Sequence, residues 1–192
     1  MIIRISGHQG SGKTTVARKL AEAFGWQFSY TGGIFREMAA EAGQHLEEFY
    51  RKMKEDPELE KSIDGRQAKL MASRDNLVVD GRLAAFFPSP FLTFNIFLRV
   101  DRLEGSRRQQ KRAENQGRSV EEIAAATDQR MAEERERYRQ LYGIENHMDE
   151  TKFNCVMDTT NLSEGQVFNH CYCEAAFYQF GKMFEKYIKN PA

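Results

Sequence analysis

The feature that most constrains this chain is a glycine-rich segment near its N-terminus, running from Gly7 to Thr14 with the sequence Gly-His-Gln-Gly-Ser-Gly-Lys-Thr. It matches the pattern G-x-x-x-x-G-K-[ST] at every fixed position. An apolar run at residues 2–6 precedes it, and apolar residues at helical spacing follow over residues 13–24. This context predicts a strand, a loop whose backbone amides wrap phosphate oxygens, and a helix that begins at the loop.

Individual roles follow from this pattern. The Lys13 ammonium is expected to reach the β- and γ-phosphates of a nucleoside triphosphate, and the Thr14 hydroxyl to coordinate Mg²⁺. We therefore expect ATP and Mg²⁺ as cofactors, with Lys13 also catalytic. No N-K-x-D signature for guanine follows the later strands, and the chain is short, which together favour a small phosphotransferase. The expected cofactor-binding residues are Gly7, Gln9, Gly10, Ser11, Gly12, Lys13, Thr14 and Thr15.

Four further candidate strands alternate with helical segments along the rest of the chain. Such alternation predicts a parallel sheet that is covered on both faces and binds ligands beyond the carboxyl ends of its strands. The predicted fold is α/β: a three-layer P-loop NTPase fold with a five-stranded parallel sheet, helices on both faces and an arginine-rich lid. We expect residues 1–192 to form one domain. The candidate strands are 27–30, 76–80, 92–100 and 152–157, and a closing helix is expected over 163–188 with a possible interruption at Gly181.

Composition restricts the partners. The chain has 28 basic and 28 acidic residues, which argues against a large nucleic acid as partner. Its apolar runs are far shorter than the ~20 residues of a membrane span, and its first residues do not resemble a signal peptide. Three cysteines without framework spacing indicate a reducing compartment. We expect a cytoplasmic monomer that binds small nucleotides and no membrane.

Arginine is concentrated where ligands are expected. The chain has 17 arginines and 11 lysines, and the fixed fork of arginine meets phosphate oxygens bidentately. Arg36 and Arg82 each follow a predicted strand. Arg108 and Arg112 lie one helical turn apart, after the predicted strand that ends at Val100. Asp80 closes an apolar strand, where a Mg²⁺ carboxylate or a substrate contact is expected.

Several further segments give a more specific indication. The order and spacing of these segments, together with the phosphate loop, resemble the short, archaeal-type cytidylate kinases over about residues 1–160. The segments are Tyr30-Thr31-Gly32-Gly33-Ile34-Phe35-Arg36, Glu55-Asp56-Pro57-Glu58, Ile63-Asp64-Gly65-Arg66, Val79-Asp80-Gly81-Arg82-Leu83-Ala84, Arg130 through Glu134 to Arg137-Tyr138, and Leu141-Tyr142-Gly143-Ile144.

The resemblance implies ATP as donor, CMP or dCMP as acceptor, acceptor-binding helices at about 31–75, and a lid with its following helix at about 101–142. Arg36 and Arg82 would hold the acceptor phosphate, and Asp64 and Arg66 would lie near the nucleoside. The implied substrate-binding set is Thr31, Arg36, Asp64, Arg66, Asp80, Arg82, Arg130, Glu134 and Arg137; the implied catalytic set is Lys13, Arg108, Arg112, Arg130 and Arg137; and the metal would be bound by Thr14 and Asp80.

The chain departs from the family pattern at three positions. The family often has an acid where this chain has Gly33, an arginine near Gly105 and an acid where Ala113 stands. Two other functions therefore stay open: a kinase for another nucleotide or small metabolite, and a nucleotide-dependent RNA- or protein-binding ATPase. The aromatic residues of the closing helix are expected to form a packing surface, with a partner-binding face as the alternative: Phe168, Phe177, Tyr178, Phe180 and Phe184.

Overall fold

A computed structural model describes residues 1–189 of the 192. Three helices lie between the second and third strands and two between the fourth and fifth, whereas only a 3-10 turn lies between the third and fourth. The elements are β1 (Ile2–Gly7), α1 (Lys13–Phe24), β2 (Gln27–Tyr30), α2 (Thr31–Glu41), α3 (Leu46–Glu55), α4 (Pro57–Ser73), β3 (Leu77–Asp80), β4 (Thr93–Arg99), α5 (Arg102–Gln110), α6 (Val120–Tyr142), β5 (Cys155–Asp158) and α7 (Glu164–Lys189). Short 3-10 turns occupy Ala84–Phe86, Ala113–Asn115 and Glu150–Lys152.

The five strands form one parallel sheet in the order β2-β3-β1-β4-β5. The strand β1 is central and pairs with β3 on one side and β4 on the other, so that Ile2 lies beside both Leu77 and Thr93. All carboxyl ends therefore meet at one edge, where the loop after β1 lies. The predicted five-stranded parallel sheet is confirmed.

Alternation of side chains along β1 supplies apolar residues to both faces of the sheet. Ile3 and Ile5 pack in a core with residues of α1 and α7, whereas Ile2 packs on the opposite face with Met71 of α4. A third, smaller core, which includes Phe49, joins α2, α3 and α4 to each other. The result is a sheet between two helical layers, as the sequence predicts.

Local sequence explains where α4 begins. Asp56 accepts hydrogen bonds from the backbone N–H groups of Glu58 and Leu59 at 3.0 and 3.3 Å, and Pro57 is the first helical residue. This is the arrangement expected of an acidic N-cap followed by proline, whose missing N–H has no helical partner at that position anyway.

Two expectations about element boundaries are wrong. The helix α7 continues through Gly181 without interruption, because one glycine costs a helix only about 1 kcal/mol. The last strand begins at Cys155 rather than near Lys152, since Glu150–Lys152 forms a 3-10 turn. Among residues 1–189, no helix is long and apolar enough to span a membrane.

Candidate active site

A cavity of about 500 Å³ opens at the carboxyl ends of β1, β2 and β3. Its walls come from the phosphate loop (residues 7–14), the helices α2 to α4, the loop after β3, and α6. Most of the residues that the sequence predicts for function line it: Gln9, Gly10, Lys13, Thr14, Thr31, Arg36, Asp64, Asp80, Arg82, Arg112, Arg130, Glu134 and Arg137.

The charged Lys13 and the hydroxyl-bearing Thr14 of the phosphate loop are the first two residues of α1. The ammonium of Lys13 donates to the carbonyl oxygen of His8 at 2.6 Å. Burial lowers the pKa of Lys13 to about 8, against the raising effect of Asp80, and nearby Arg82 lowers it further. Lysine is still mostly protonated at neutral pH with such a pKa. It therefore keeps the charge that a phosphate would meet at the N-terminal end of the helix dipole.

Thr14 and Asp80 bring two oxygens together from different elements. The Thr14 hydroxyl donates to Asp80 Oδ2 at 2.5 Å, joining the start of α1 to the end of β3. Oxygen donors of this kind suit Mg²⁺, which usually keeps several waters and takes only one or two protein ligands beside substrate phosphates. The pair fits the predicted metal site. Within residues 1–189, no group of three or more His, Cys, Asp or Glu side chains could hold a metal.

Buried acids hold the arginines of α6 and of the loop after β3. The Glu134 carboxylate is 2% exposed and pairs with both Arg82 and Arg130, the latter at 2.8 Å. Arg137 Nε lies 3.1 Å from Glu60 Oε2. Burial lowers the pKa of Arg82 to about 10, so this guanidinium stays charged at neutral pH. These pairings orient three guanidinium groups toward one cavity before any phosphate arrives.

The lining has an excess of positive charge. It contains six basic side chains, Lys13, Arg36, Arg82, Arg112, Arg130 and Arg137, and four acidic ones, Glu60, Asp64, Asp80 and Glu134. The formal excess of two positive charges suits phosphorylated ligands more than neutral ones. The zero net charge of the whole chain conceals this local excess.

Tyr30 holds Arg36 at the mouth of the cavity. The Arg36 guanidinium lies 5.2 Å from the centroid of the Tyr30 ring and donates to its phenol oxygen. A side chain at Gly33 would collide with that ring, because an added Cβ would lie 2.7 Å from Tyr30 Cε1. The glycine that departs from the family pattern thus leaves room for the tyrosine.

Asp64 on α4 meets Tyr142 at the end of α6. The Tyr142 hydroxyl donates to Asp64 Oδ2 at 2.8 Å. Burial raises the pKa of Asp64 to about 6, while the hydrogen bond from Tyr142 lowers it and nearby Glu60 raises it. This carboxyl therefore changes charge closer to neutral pH than an exposed aspartate does.

Six predicted residues lie outside the cavity lining, and two of them, Arg66 and Arg108, are bound elsewhere. Arg66 is exposed on α4 and forms two hydrogen bonds with Glu41 of α2, at 2.9 and 2.5 Å. Arg108 donates to the carbonyl oxygens of Thr159 and Thr160 at 2.8 and 2.9 Å and approaches that of Gly10 at 3.5 Å. It therefore connects the phosphate loop to the loop after β5. The other predicted residues outside the lining are Gly7, Ser11, Gly12 and Thr15 of the phosphate loop and its helix.

The comparisons with known proteins agree with this geometry. Residues 2–161 match the model of the cytidylate kinase-like family. The chain belongs to this family. It is 36% identical to the cytidylate kinase of Methanopyrus kandleri over 178 residues, covering 88% of this chain and 90% of the relative. It is 37% identical to that of Pyrococcus furiosus over 173 residues, covering 88% and 84%. This member of the cytidylate kinase-like family is accordingly a nucleoside monophosphate kinase.

Solved structures of more distant proteins share the fold of this cytidylate kinase-like chain. A gluconokinase from Sinorhizobium meliloti superposes with a TM-score of 0.60 at 15% identity, covering 95% of each chain. A shikimate kinase from Acinetobacter baumannii in complex with shikimate superposes with a TM-score of 0.57 at 18% identity, covering 93% of each chain. At such low identity these likenesses bear on the fold alone.

Among the side chains that sequence reasoning missed, three hold charged residues of this cytidylate kinase-like site in place: Tyr30, Glu60 and Tyr142. Tyr30 and Tyr142 lie inside segments that carry the family resemblance, so their positions were marked but their contacts were not. Glu60 had no signal, because its partner Arg137 is 77 residues away in sequence. Only the packing of α4 against α6 brings these two side chains together.

Proposed function

We propose that this kinase transfers the γ-phosphoryl group of ATP to CMP or dCMP, producing ADP and CDP or dCDP, in the cytoplasm. The observation that carries the proposal is the meeting of two phosphate-binding groups in one cavity. The phosphate loop, with Lys13, forms one wall, and arginines from three other elements, Arg36, Arg82 and Arg130 among them, form another. The names of the curated relatives support cytidylate as the acceptor.

The donor triphosphate is proposed to bind along the phosphate loop. Backbone amides at the start of α1 would bind its oxygens, and Lys13 would move from the His8 carbonyl to the β- and γ-phosphates. Thr14 and Asp80 would hold Mg²⁺. When bound, that ion neutralises charge on the β- and γ-phosphate oxygens.

The acceptor monophosphate is proposed to bind against Arg36 and Arg82. Both guanidinium groups line the cavity and are held by protein groups, Tyr30 and Glu134 respectively. A bidentate arginine–phosphate contact fixes orientation as well as charge. Asp64 lies on α4 within the same lining, where it would accept a hydrogen bond from the nucleoside; Arg66 would contribute only if it left Glu41.

Transfer itself is proposed to proceed in line, without a covalent enzyme intermediate. An acceptor phosphate oxygen forms the new P–O bond to the γ-phosphorus while the bond to the β-phosphate oxygen breaks. Lys13, Arg112, Arg130 and Arg137 would stabilise the negative charge that shifts during this step. Arg108, through its contacts with the phosphate loop, would position that loop rather than touch the moving group.

The segment 101–142 is proposed to act as the lid, with the chain as one domain. Arg112 follows α5 and lines the cavity. Movement of this segment onto the nucleotides would exclude water and suppress hydrolysis of ATP. The helices between 31 and 75 would form the acceptor side.

A coupled assay of ADP release tests this proposal, with Mg-ATP and CMP, dCMP, UMP or AMP as acceptor. We expect turnover to be fastest with CMP or dCMP, and we expect chromatography to identify the corresponding diphosphate as the product. Turnover with another acceptor only would favour a kinase of different specificity. ATP consumption without any phosphorylated acceptor would favour the nucleotide-dependent binding ATPase.

A further inference from the structure

The closing helix α7 extends beyond the rest of the molecule. Its first half packs on the sheet through Val167, Cys171 and Ala175, all buried. Every residue from Phe180 to Lys189, in contrast, is exposed. At 1.5 Å per residue this distal part is about 15 Å long. A helix this short is only marginally stable alone in water, so a contact that covers it would be expected to stabilise it.

The distal part carries a second apolar face. We call it the distal apolar face: Phe177, Phe180, Met183, Phe184, Tyr187 and Ile188, exposed by 74, 68, 64, 55, 67 and 62%. At 100° per residue these side chains lie on the side of the helix opposite to Cys171 and Ala175, which face the core. The remaining side of the distal part is polar and carries Lys182, Glu185, Lys186 and Lys189.

This face has no part in the active site. None of its residues lines the cavity, and the family match ends at residue 161, before α7 begins at Glu164. Two of the aromatic residues for which the sequence favoured packing, Phe168 and Tyr178, do pack against the core. Phe177, Phe180 and Phe184 do not, which favours the alternative of a partner-binding face for these three.

The size of the face matches what one subunit contributes to a stable interface. A large aromatic side chain has 150–250 Å² to bury, so six large side chains exposed by 55–74% present on the order of 800 Å². One partner in a standard interface buries about 800 Å². The largest apolar patch on a typical monomer is smaller, about 300–600 Å².

We propose that a second copy of this chain covers the distal apolar face, so that the kinase is a homodimer joined through α7. Phe177, Phe180, Phe184 and Tyr187 are spaced three, four and three residues apart, the spacing with which one helix packs along another helix of the same kind. A two-fold axis would place the same stripe on both sides of the interface. Gly181 and Met183, a small and an apolar residue, flank these four aromatic residues and allow the two helices to approach each other closely.

An anionic lipid surface is the competing occupant, because the polar side of the distal part carries three lysines and one glutamate, and basic residues attract amphipathic helices to such lipids. The area of the face and the spacing of its aromatic residues carry the choice of a second copy. Binding to lipid is therefore one outcome of the test. The proposal runs against the monomer expected from the sequence.

Sedimentation equilibrium of the full chain tests the proposal, with two matched double variants. Phe180→Glu with Phe184→Glu changes the distal apolar face; Lys182→Glu with Lys186→Glu makes the same number of changes at the same spacing on the polar side. Glutamate is a better helix former than phenylalanine, so the first variant does not weaken the helix. The control loses the surface ion pair of Lys182 with Glu185 and the contact of Lys182 with the Tyr178 ring, and it places like charges beside Glu185; at an exposed site each of these changes is worth about 1 kcal/mol or less.

The wild type and the control are expected at roughly twice the chain mass of 22.2 kDa, and the phenylalanine variant at the chain mass with unchanged kinase turnover per chain. A monomeric wild type at all concentrations up to hundreds of micromolar, or a dimeric phenylalanine variant, would overturn the proposal. A monomeric wild type that sediments with phosphatidylcholine–phosphatidylserine vesicles would instead assign the face to lipid. Circular dichroism checks helix content, and Tyr187→Glu replaces the double variant if its helix signal is lost.

Discussion

The Tyr142 hydroxyl donates a hydrogen bond of 2.8 Å to Asp64 Oδ2, and so links the end of α6 to the middle of α4. Burial raises the pKa of this carboxyl from 3.8 to about 6. Its charge is therefore less stable in the folded protein than in the unfolded chain. Burial of Asp64 therefore makes the stability of the protein depend on pH, and the hydrogen bond from Tyr142 limits the size of the pKa shift.

The first prediction concerns that dependence. Because the folded state binds the Asp64 proton more tightly than the unfolded chain does, protonation of Asp64 stabilises the fold. This stabilisation is complete below about pH 4 and is lost as the pH rises through about 6. For the pKa values given, the loss in unfolding free energy is about 3 kcal/mol. Urea unfolding from pH 4 to 8 measures it. Asp64→Asn should remove this part of the slope, and Tyr142→Phe should move its upper limit to higher pH. Identical profiles for Asp64→Asn and the wild type would contradict the assignment.

The second prediction is that Lys13→Ala abolishes phosphoryl transfer while the thermal unfolding temperature stays within a few degrees. The Lys13 ammonium is the only lysine that lines the cavity within the described residues, and its loss removes charge stabilisation next to the transferred group. A coupled assay measures turnover. Lys19→Ala, six residues further along α1 and outside the cavity, serves as control; unchanged turnover in Lys13→Ala would exclude the proposed role.

The third prediction addresses the metal ligands. Asp80→Asn should raise the Mg²⁺ concentration needed for half-maximal activity and lower kcat on the order of a hundredfold, since an amide neutralises less of the ion's charge. Thr14→Val should act in the same direction because it removes the hydroxyl that contacts Asp80. Titration of activity with Mg²⁺ is the measurement. Thr93→Val, at the start of β4 and outside the cavity lining, should behave like the wild type.

The fourth prediction separates Gly33 from its neighbour. Gly33→Ala places a Cβ 2.7 Å from Tyr30 Cε1, whereas at Gly32 the nearest atom of that ring is 3.4 Å away, an ordinary contact. Gly33→Ala should therefore displace Tyr30 and Arg36 and raise KM for the acceptor several-fold, with KM for ATP unchanged. Gly32→Ala is the control. Steady-state kinetics decide, and equal KM values for the two variants would rule out the Tyr30–Arg36 contact as the cause.

The fifth prediction concerns the contact between α5 and the phosphate loop. A Cβ at Gly105 would lie 2.8 Å from the carbonyl oxygen of Gln9, which is backbone and cannot move aside cheaply. Gly105→Ala should cost about 1–3 kcal/mol of unfolding free energy and raise KM for ATP. Gly65→Ala, in a helix with open space around it, should be neutral or stabilising. A variant Gly105→Ala as stable as the wild type would show that α5 has room to shift.

Sequence reasoning worked best where the signal was local. The phosphate loop and the five strands depend on residues close together in the chain, and their positions agree with the prediction to within a few residues. Sequence reasoning was least accurate where the effect of a single residue had to be compared with the helix-forming tendency of all the residues around it. The interruption expected at Gly181 does not occur, because the residues around it continue the helix.

In the candidate site, too, local sequence signals were predictive and contacts between distant residues were not. The sequence by itself determined the fold class, the phosphate loop and the set of arginines, because these follow from motif, periodicity and residue type. Only the tertiary structure decided which arginines face the cavity: Arg112 does, whereas Arg108 turns to the carbonyls of Thr159 and Thr160. The physical reason is that a guanidinium group donates hydrogen bonds to oxygen atoms on elements that are tens of residues away in the sequence. The order of residues along the chain does not specify which of these oxygens come close to it in space.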